Sequence, residues 1–241
     1  MQDINDIATV SGSTDNNIVA PYDFTITEVF QEAWQRTYGF KSPVLGAVIL
    51  IFIAFIALGF ASFFAINVMT VSSPAVAAVI IYPLNILITL ASYPIYAGFM
   101  MMGLHRAINA PVNFKMIFSY FSYSLPLIIA CISISIMIML GFFLLIIPGI
   151  YLSFAYIFTL PLIIEKDMDF WQAMTTSQKA VHQHWFKIFF TYLLMAVIYF
   201  ISAIPFGIGL IWTLPLFVAL QGVLYRRIFG ITSLPTESNN I

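Results

Sequence analysis

The sequence predicts an all-α polytopic membrane protein, and three observations carry that prediction. Of 241 residues, 61% are hydrophobic and only 8% charged. A soluble domain has roughly 25% charged residues, because its surface must be solvated. Stretches such as "VLGAVILIFIAFIALGFASFFAI" are apolar on every face, whereas a membrane β-barrel alternates apolar and polar residues. Third, all nine Lys and Arg residues fall between the apolar runs or at their ends.

In chain order, residues 1–24 are polar and acidic and read as a disordered tail. They lack the basic-then-apolar pattern of a signal peptide, so the first span is expected to direct insertion itself. A single transmembrane domain follows at 25–230, with a short tail at 231–241. Crossing a bilayer takes about 17–25 apolar residues. Six runs are read as spans, near 44–66, 75–104, 125–147, 150–164, 185–204 and 208–229. The second is long enough to tilt or kink. The fourth is short unless the preceding Pro148–Gly149 is partly embedded.

With six spans, Arg36, Lys41, Arg106, Lys115, Lys166, Lys179, Lys187, Arg226 and Arg227 share the side of the N-terminus, as do all ten acidic residues. The connections at 67–74, 148–149 and 205–207 carry no charge. The positive-inside rule then places both termini in the cytoplasm. A reporter fused after Gly149 or Gly207 is expected to read as periplasmic.

The segments before the odd-numbered spans resemble one another. "TITEVF", "NFKMIF" and "DFWQAM" each open on an N-cap residue, Thr25, Asn113 or Asp169, whose side chain accepts from a first-turn N–H. Glu28 and Gln172 stand where a capping box has its partner. Apolar residues then recur at matching offsets: Ile26, Val29 and Phe30; Phe114, Ile117 and Phe118; Phe170, Ala173 and Met174. The first stripe continues through Ala33, Trp34 and Tyr38. The unit reads as an interfacial helix followed by a transmembrane hairpin, repeated three times.

The second span of each hairpin carries a proline: Pro94 in "SYPIY", Pro161 and Pro215 each in "TLPL". Proline in a helix interior costs about 3 kcal/mol and frees a carbonyl four residues back. In hydrocarbon that carbonyl needs another partner, so kinks belong where a helix faces protein or a wet cavity. Three kinked helices around a common axis are expected to splay the bundle towards one face. The plainer reading is that each proline shapes helix packing.

Chemistry is sparse. No ionisable residue lies deep in a span, which argues against a proton-driven pump; Glu165 sits at a boundary. Asn85, Thr89, Ser92 and Tyr96 share one face of span two and can line a cavity or a headgroup site, or simply hydrogen-bond another helix. His182 and His184, two apart on a helix, point to different faces and do not form a metal site. Trp171 and Trp185 suit headgroup anchors, and Arg226 and Arg227 are placed to reach lipid headgroups. Cys131 has no partner within the chain. A net charge of −1 argues against nucleic acid. No catalytic motif is present, and neither metal nor cofactor is expected.

The second half, through "IIPGIYLSFAYIFTLPLIIEKDMDFWQAMTTSQKAV" and "GIGLIWTLPLFVALQGVLYRRIFG", resembles a group of bacterial integral membrane proteins. The group includes the YciC-like proteins and the membrane domain fused to some glycerophosphodiester phosphodiesterases. The shared pattern is a Pro-Gly turn, a proline-bearing span, a short acidic loop, an Ala-rich helix with a Ser, and a Tyr-Arg-Arg end. The resemblance implies a bacterial cytoplasmic membrane and a link to lipid or envelope physiology. It transfers no catalytic residue, and the phosphodiesterase domain is absent from this sequence.

The expected function is therefore non-enzymatic: binding a membrane lipid or another membrane protein in envelope homeostasis. A passive pathway for a small uncharged or amphipathic solute is the alternative, and an embedded lipid enzyme the third reading. A greasy lateral groove at the cytoplasmic face favours the first and a water-filled axial pore the second. Convergence of His105, Glu165 and His182 on one cleft favours the third.

Overall fold

The computed structural model describes residues 22–72, 74–204 and 207–231. Among them the fold is helical, without strands: α1 (Ile26–Arg36), α2 (Lys41–Ser72), α3 (Pro74–Ala107), α4 (Ser124–Leu144), α5 (Ile146–Ala155), α6 (Thr159–Glu165), α7 (Phe170–Gln183), α8 (Trp185–Ala203) and α9 (Leu210–Phe229). The expectations for residues 1–21 and 232–241 lie outside the described residues. Tyr22, Asp23 and Phe24, read as the end of a loose tail, are docked instead. Phe24 is buried, the Tyr22 hydroxyl donates to Ala180 O at 2.8 Å, and Asp23 pairs with Lys187. An aromatic pair beside a charge gives this stretch enough apolar surface to leave water.

Among the described residues, five helical stretches are long and apolar enough to cross a membrane: Lys41–Phe64, Tyr82–Ala107, Phe114–Leu144, Ile146–Glu165 and Trp185–Ala203. The sixth expected span, α9, is not among them. Its 20 residues include Gln221, Tyr225, Arg226 and Arg227, which dilute its apolar character. Packing explains the composition. α9 is buried along most of its length, from Thr213 to Ile228, so it faces other helices rather than lipid.

α3 and α9 form the centre. They run side by side so closely that a Cβ on Gly222 would collide with the Gly103 carbonyl, and one on Gly103 with the Val218 carbonyl. Without a hydrophobic drive between helices in lipid, such small-residue contacts supply the packing. α2 and α3, of 32 and 34 residues, are about 48 and 51 Å long at 1.5 Å per residue. That exceeds the roughly 30 Å hydrocarbon core.

The three N-caps are present. Thr25 accepts from Glu28 N (3.4 Å), Asn113 from Lys115 N (3.3 Å) and Asp169 from Trp171 N (3.2 Å). The helices behind them are unequal: α1 and α7 are α-helical, whereas the middle copy is a 3₁₀ turn, Phe114–Phe118. Aromatic and Ser residues of weak helix propensity follow it, and its Ile117 backbone is pressed against Gly98 of α3. The apolar stripes bury Val29, Ala33, Ile117, Ala173 and Met174, but Trp34, Tyr38, Phe114 and Phe118 remain exposed.

The turn expected at Pro148–Gly149 falls earlier. α4 ends at Leu144, Leu145 is extended (φ −162°, ψ 155°), and Pro148 and Gly149 lie inside α5. As the third residue of α5, Pro148 needs no N–H partner there. At the other expected turn Gly207 has φ 76°, a conformation that glycine adopts without strain; Pro205 lies outside the described residues.

Candidate functional site

A cavity of about 870 Å³ opens between the helices. α2 contributes Phe52 and Phe55, α3 Ser92 and Tyr96, and α4 Cys131 and Ser135. Ser153 of α5, Tyr156 just after it, Leu160 of α6 and Leu214 of α9 also line it. Phe52, Phe55 and Tyr96 are exposed on helices apolar enough to lie in a membrane, so the mouth faces sideways.

The kink prolines border this cavity. Pro94 lies between the lining residues Tyr93 and Ile95, Pro161 follows Leu160, and Pro215 follows Leu214. Pro94 and Pro215 stay within continuous helices. Pro161 instead accompanies a complete break between α5 and α6, and α7 repairs that break. In an unbroken helix Phe158 N would bond to Phe154 O, and Ala155 O would accept from Thr159 N. Here Ile157 N takes Phe154 O, and Thr159 N takes Tyr156 O. The Ser177 hydroxyl fills both vacancies, accepting from Phe158 N at 3.2 Å and donating to Ala155 O at 2.7 Å. All three residues are buried, so one hydroxyl satisfies two backbone groups that water cannot reach. Ser177 is the serine of the Ala-rich helix in the motif, and its pattern alone gave no sign of this role.

Half of the expected polar face reaches the cavity. Ser92 and Tyr96 line it, whereas Asn85 and Thr89 lie outside the lining. Its serine hydroxyls turn back on their own helices: Ser92 Oγ donates to Thr89 O (2.6 Å), Ser135 Oγ to Cys131 O (2.8 Å) and Ser153 Oγ to Gly149 O (2.8 Å). Thr89 Oγ1 likewise donates to Asn85 O at 2.8 Å. Beside the tyrosines Tyr93, Tyr96 and Tyr156 and the thiol of Cys131, the walls are hydrocarbon and phenylalanine. Tyr96 lies eleven residues, about 16 Å, from the end of α3 at Ala107. The site is therefore deeper than the cytoplasmic-face groove expected.

At one end of the bundle the charged residues form a network on α1. Glu32 holds three arginines. Arg227 donates to it at 3.0 Å, Arg36 lies at 3.4 Å, and Arg226 makes a close ion pair. Arg227 also bonds Glu28 at 3.0 Å, and Arg226 donates to the Ala107 carbonyl at 2.7 Å. Arg226 and Arg227, expected at lipid headgroups, thus have partners within the protein. Burial pushes the Glu32 carboxyl up, but hydrogen bonds and charge from Arg227 and Arg226 outweigh it and hold Glu32 below its ordinary range. Glu28 is lowered by its hydrogen bond from Arg227, and Asp23 by that from Lys187. The i, i+4 spacing of Glu28, Glu32 and Arg36 is the sequence signal that could have marked this face.

Trp171 is 59% exposed, as suits an anchor. Trp185 is half-buried and stacks on Phe189 with centroids 5.1 Å apart. It borders a smaller cavity of about 420 Å³ with His182, His184 and Lys187. The three residues of the enzyme reading each meet a different tyrosine. His105 meets Tyr120 at 3.3 Å, Glu165 meets Tyr225 at 2.8 Å, and His182 meets Tyr151 at 3.1 Å. Among the described residues no group of three His, Cys, Asp or Glu side chains could hold a metal ion.

Residues 128–232 match the family model described as the membrane domain of glycerophosphoryl diester phosphodiesterase. No curated protein and no solved structure matches the chain. From the first turns of α4 to just past α9, this chain is similar to the membrane domain of glycerophosphoryl diester phosphodiesterase, the family that its proline, serine and arginine motifs resemble.

Proposed function

We propose that the protein is a non-enzymatic, lipid-binding component of the bacterial inner membrane, serving envelope homeostasis with both termini cytoplasmic. The observation that carries this reading is the lateral, apolar cavity of about 870 Å³. Its volume falls in the roughly 300–1,000 Å³ range of small-ligand sites. Its mouth lies on exposed aromatic residues of membrane-type helices, where the surrounding solvent is acyl chain. With the Ser92, Ser135 and Ser153 hydroxyls donating to their own helices, the walls favour hydrocarbon. A solute path would need wall hydroxyls free to exchange with water. The similarity of residues 128–232 to the membrane domain of glycerophosphoryl diester phosphodiesterase supports the membrane setting.

Native mass spectrometry of gently extracted protein tests the reading. One lipid class is expected on the wild type. Most of it should be lost in Ser135→Trp, which fills the cavity from an exposed wall position. Bare wild-type protein, or equal lipid on both forms, contradicts the proposal. A second protein at fixed stoichiometry, without lipid, would assign the surface to a membrane partner.

A further inference from the structure

The hairpin of α4 and α5 ends in a tip with nothing polar on it. From Ile136 to Ile150 the chain reads "IMIMLGFFLLIIPGI", and the residues at the turn are largely exposed, Phe143 at 88% and Ile147 at 79%. A turn that emerges into water between two spans normally carries Asn, Asp, Ser or other polar residues. Here only the backbone could be hydrated.

The contacts of α7 set the depth of this tip. α1 lies across the ends of α3 and α9, through Arg36 on Asn109 and Glu32 on Arg226 and Arg227. α7 is tied to that same polar layer on both sides. Just before it, Lys166 Nζ donates to the last carbonyl of α9, Phe229 O, at 3.1 Å. Just after it, His184 Nε2 meets Tyr22 O at 2.6 Å, and the Tyr22 hydroxyl holds Ala180 O. α7 therefore lies in the plane of the charged end. α5 runs along it, with Ala155 on Ser177 and the Tyr151 hydroxyl on His182 at 3.1 Å. Ala155 meets the middle of α7 and Tyr151 its later part, so α5 and α7 run in opposite senses. Leu145 precedes Tyr151 by six residues, about 9 Å of helix. Measured from Ala155, whose carbonyl Ser177 holds, an upright α5 carries the turn ten residues or about 15 Å deep, half of a core roughly 30 Å thick, so the 21-residue α4, about 31 Å long, runs inclined.

We propose that α4 and α5 form a re-entrant hairpin, with the tip Phe142–Ile147 immersed in the acyl chains of the membrane interior. It enters and leaves from the side that carries the charges. The backbone at the turn suits that setting, where each unpaired polar group is costly. Leu145 is the one residue between the helices; its N–H donates to Gly141 O at 3.1 Å, and its carbonyl accepts from Gly149 N at 3.4 Å. Pro148 brings no N–H to the first turn of α5. Gly149 lets the two helices close on each other, since a Cβ there would strike the Phe142 ring. The occupant of the surrounding space is lipid, because an unbroken apolar run without hydrogen-bonding side chains fits hydrocarbon and offers nothing to water. α2, α3, α8 and α9 are then the helices that cross. This inference is independent of what fills the cavity.

Spin labels in the full chain, reconstituted in phospholipid vesicles, test it. In a Cys131→Ala background, a label at Phe143→Cys is expected to collide readily with oxygen and poorly with a water-soluble nickel chelate. A label at Asn67→Cys, an exposed position at the far end of α2, serves as the reference for an accessible end. Strong collision of the tip label with nickel would place it in water and overturn the proposal. Protection from both reagents would show it covered by protein, a second copy included, and overturn the lipid assignment. Ile147→Cys repeats the test should Phe143→Cys fail to fold.

Discussion

Ser177 and Glu32 each do more than their residue types suggest. Ser177 satisfies one donor and one acceptor at the break between α5 and α6. Ser177→Ala leaves both buried and unpaired, so a loss of about 1–3 kcal/mol is expected for each unsatisfied group that does not find a new partner. Thermal unfolding should show this as a lowered midpoint. Thr175→Ala, which removes a hydroxyl bonded only within α7, should change it little. Glu32 and Glu28 have folded values below the ordinary 4.5. Their contribution to holding α1 is therefore complete above that value and fades as pH falls below it, through the lowered range. The distance between spin labels at Gln31 and Lys179, both exposed, should be narrowly distributed at pH 7 and broaden progressively as pH falls below 4.5. Glu32→Gln should broaden it already at pH 7. An unchanged distribution in both cases would detach α1 docking from these carboxylates.

At the scale of elements, composition and capping made most helices legible, because lipid-facing sequence admits few alternatives. N-caps at Thr25, Asn113 and Asp169 were readable, since each places a short polar side chain before a helical turn. Three features were not. The middle interfacial helix is a 3₁₀ turn because tertiary pressure at Ile117 and Gly98 overrides a local pattern. The α4–α5 turn lies at Leu145, because a proline in the first turn of a helix resembles a proline in a loop. α9 falls short of span composition because it is walled by protein. Its contact with α3 is also the element most sensitive to added volume. Gly222→Ala and Gly103→Ala each insert a methyl group against backbone, and a loss of about 1–3 kcal/mol or more is expected from such overpacking. Gly59→Ala, with open space around it, should be tolerated; equal midpoints for all three would deny the close crossing.

For the molecule as a whole, charge placement was the most informative sequence feature. The charges of α1 gather with those at the ends of α3 and α9, whereas Lys41 lies over the Trp212 ring, near the start of α9. Charge segregation is nevertheless blind to a hairpin that enters and leaves on one side, so it could not separate a short fourth span from a re-entrant one. The cavity was legible only in part. Ser92 and Tyr96 lay on a predicted polar face, whereas the walls from α4, α5 and α9 depend on packing that no single stretch encodes. The prolines were visible, and their common border on one cavity was not. The lipid-binding account is tested most directly by photocrosslinking in intact membranes from a benzophenone amino acid at Tyr96. An adduct of phospholipid mass, diminished by Ser135→Trp, is the predicted result. Absence of any lipid adduct, or a crosslink to another protein alone, would contradict the account.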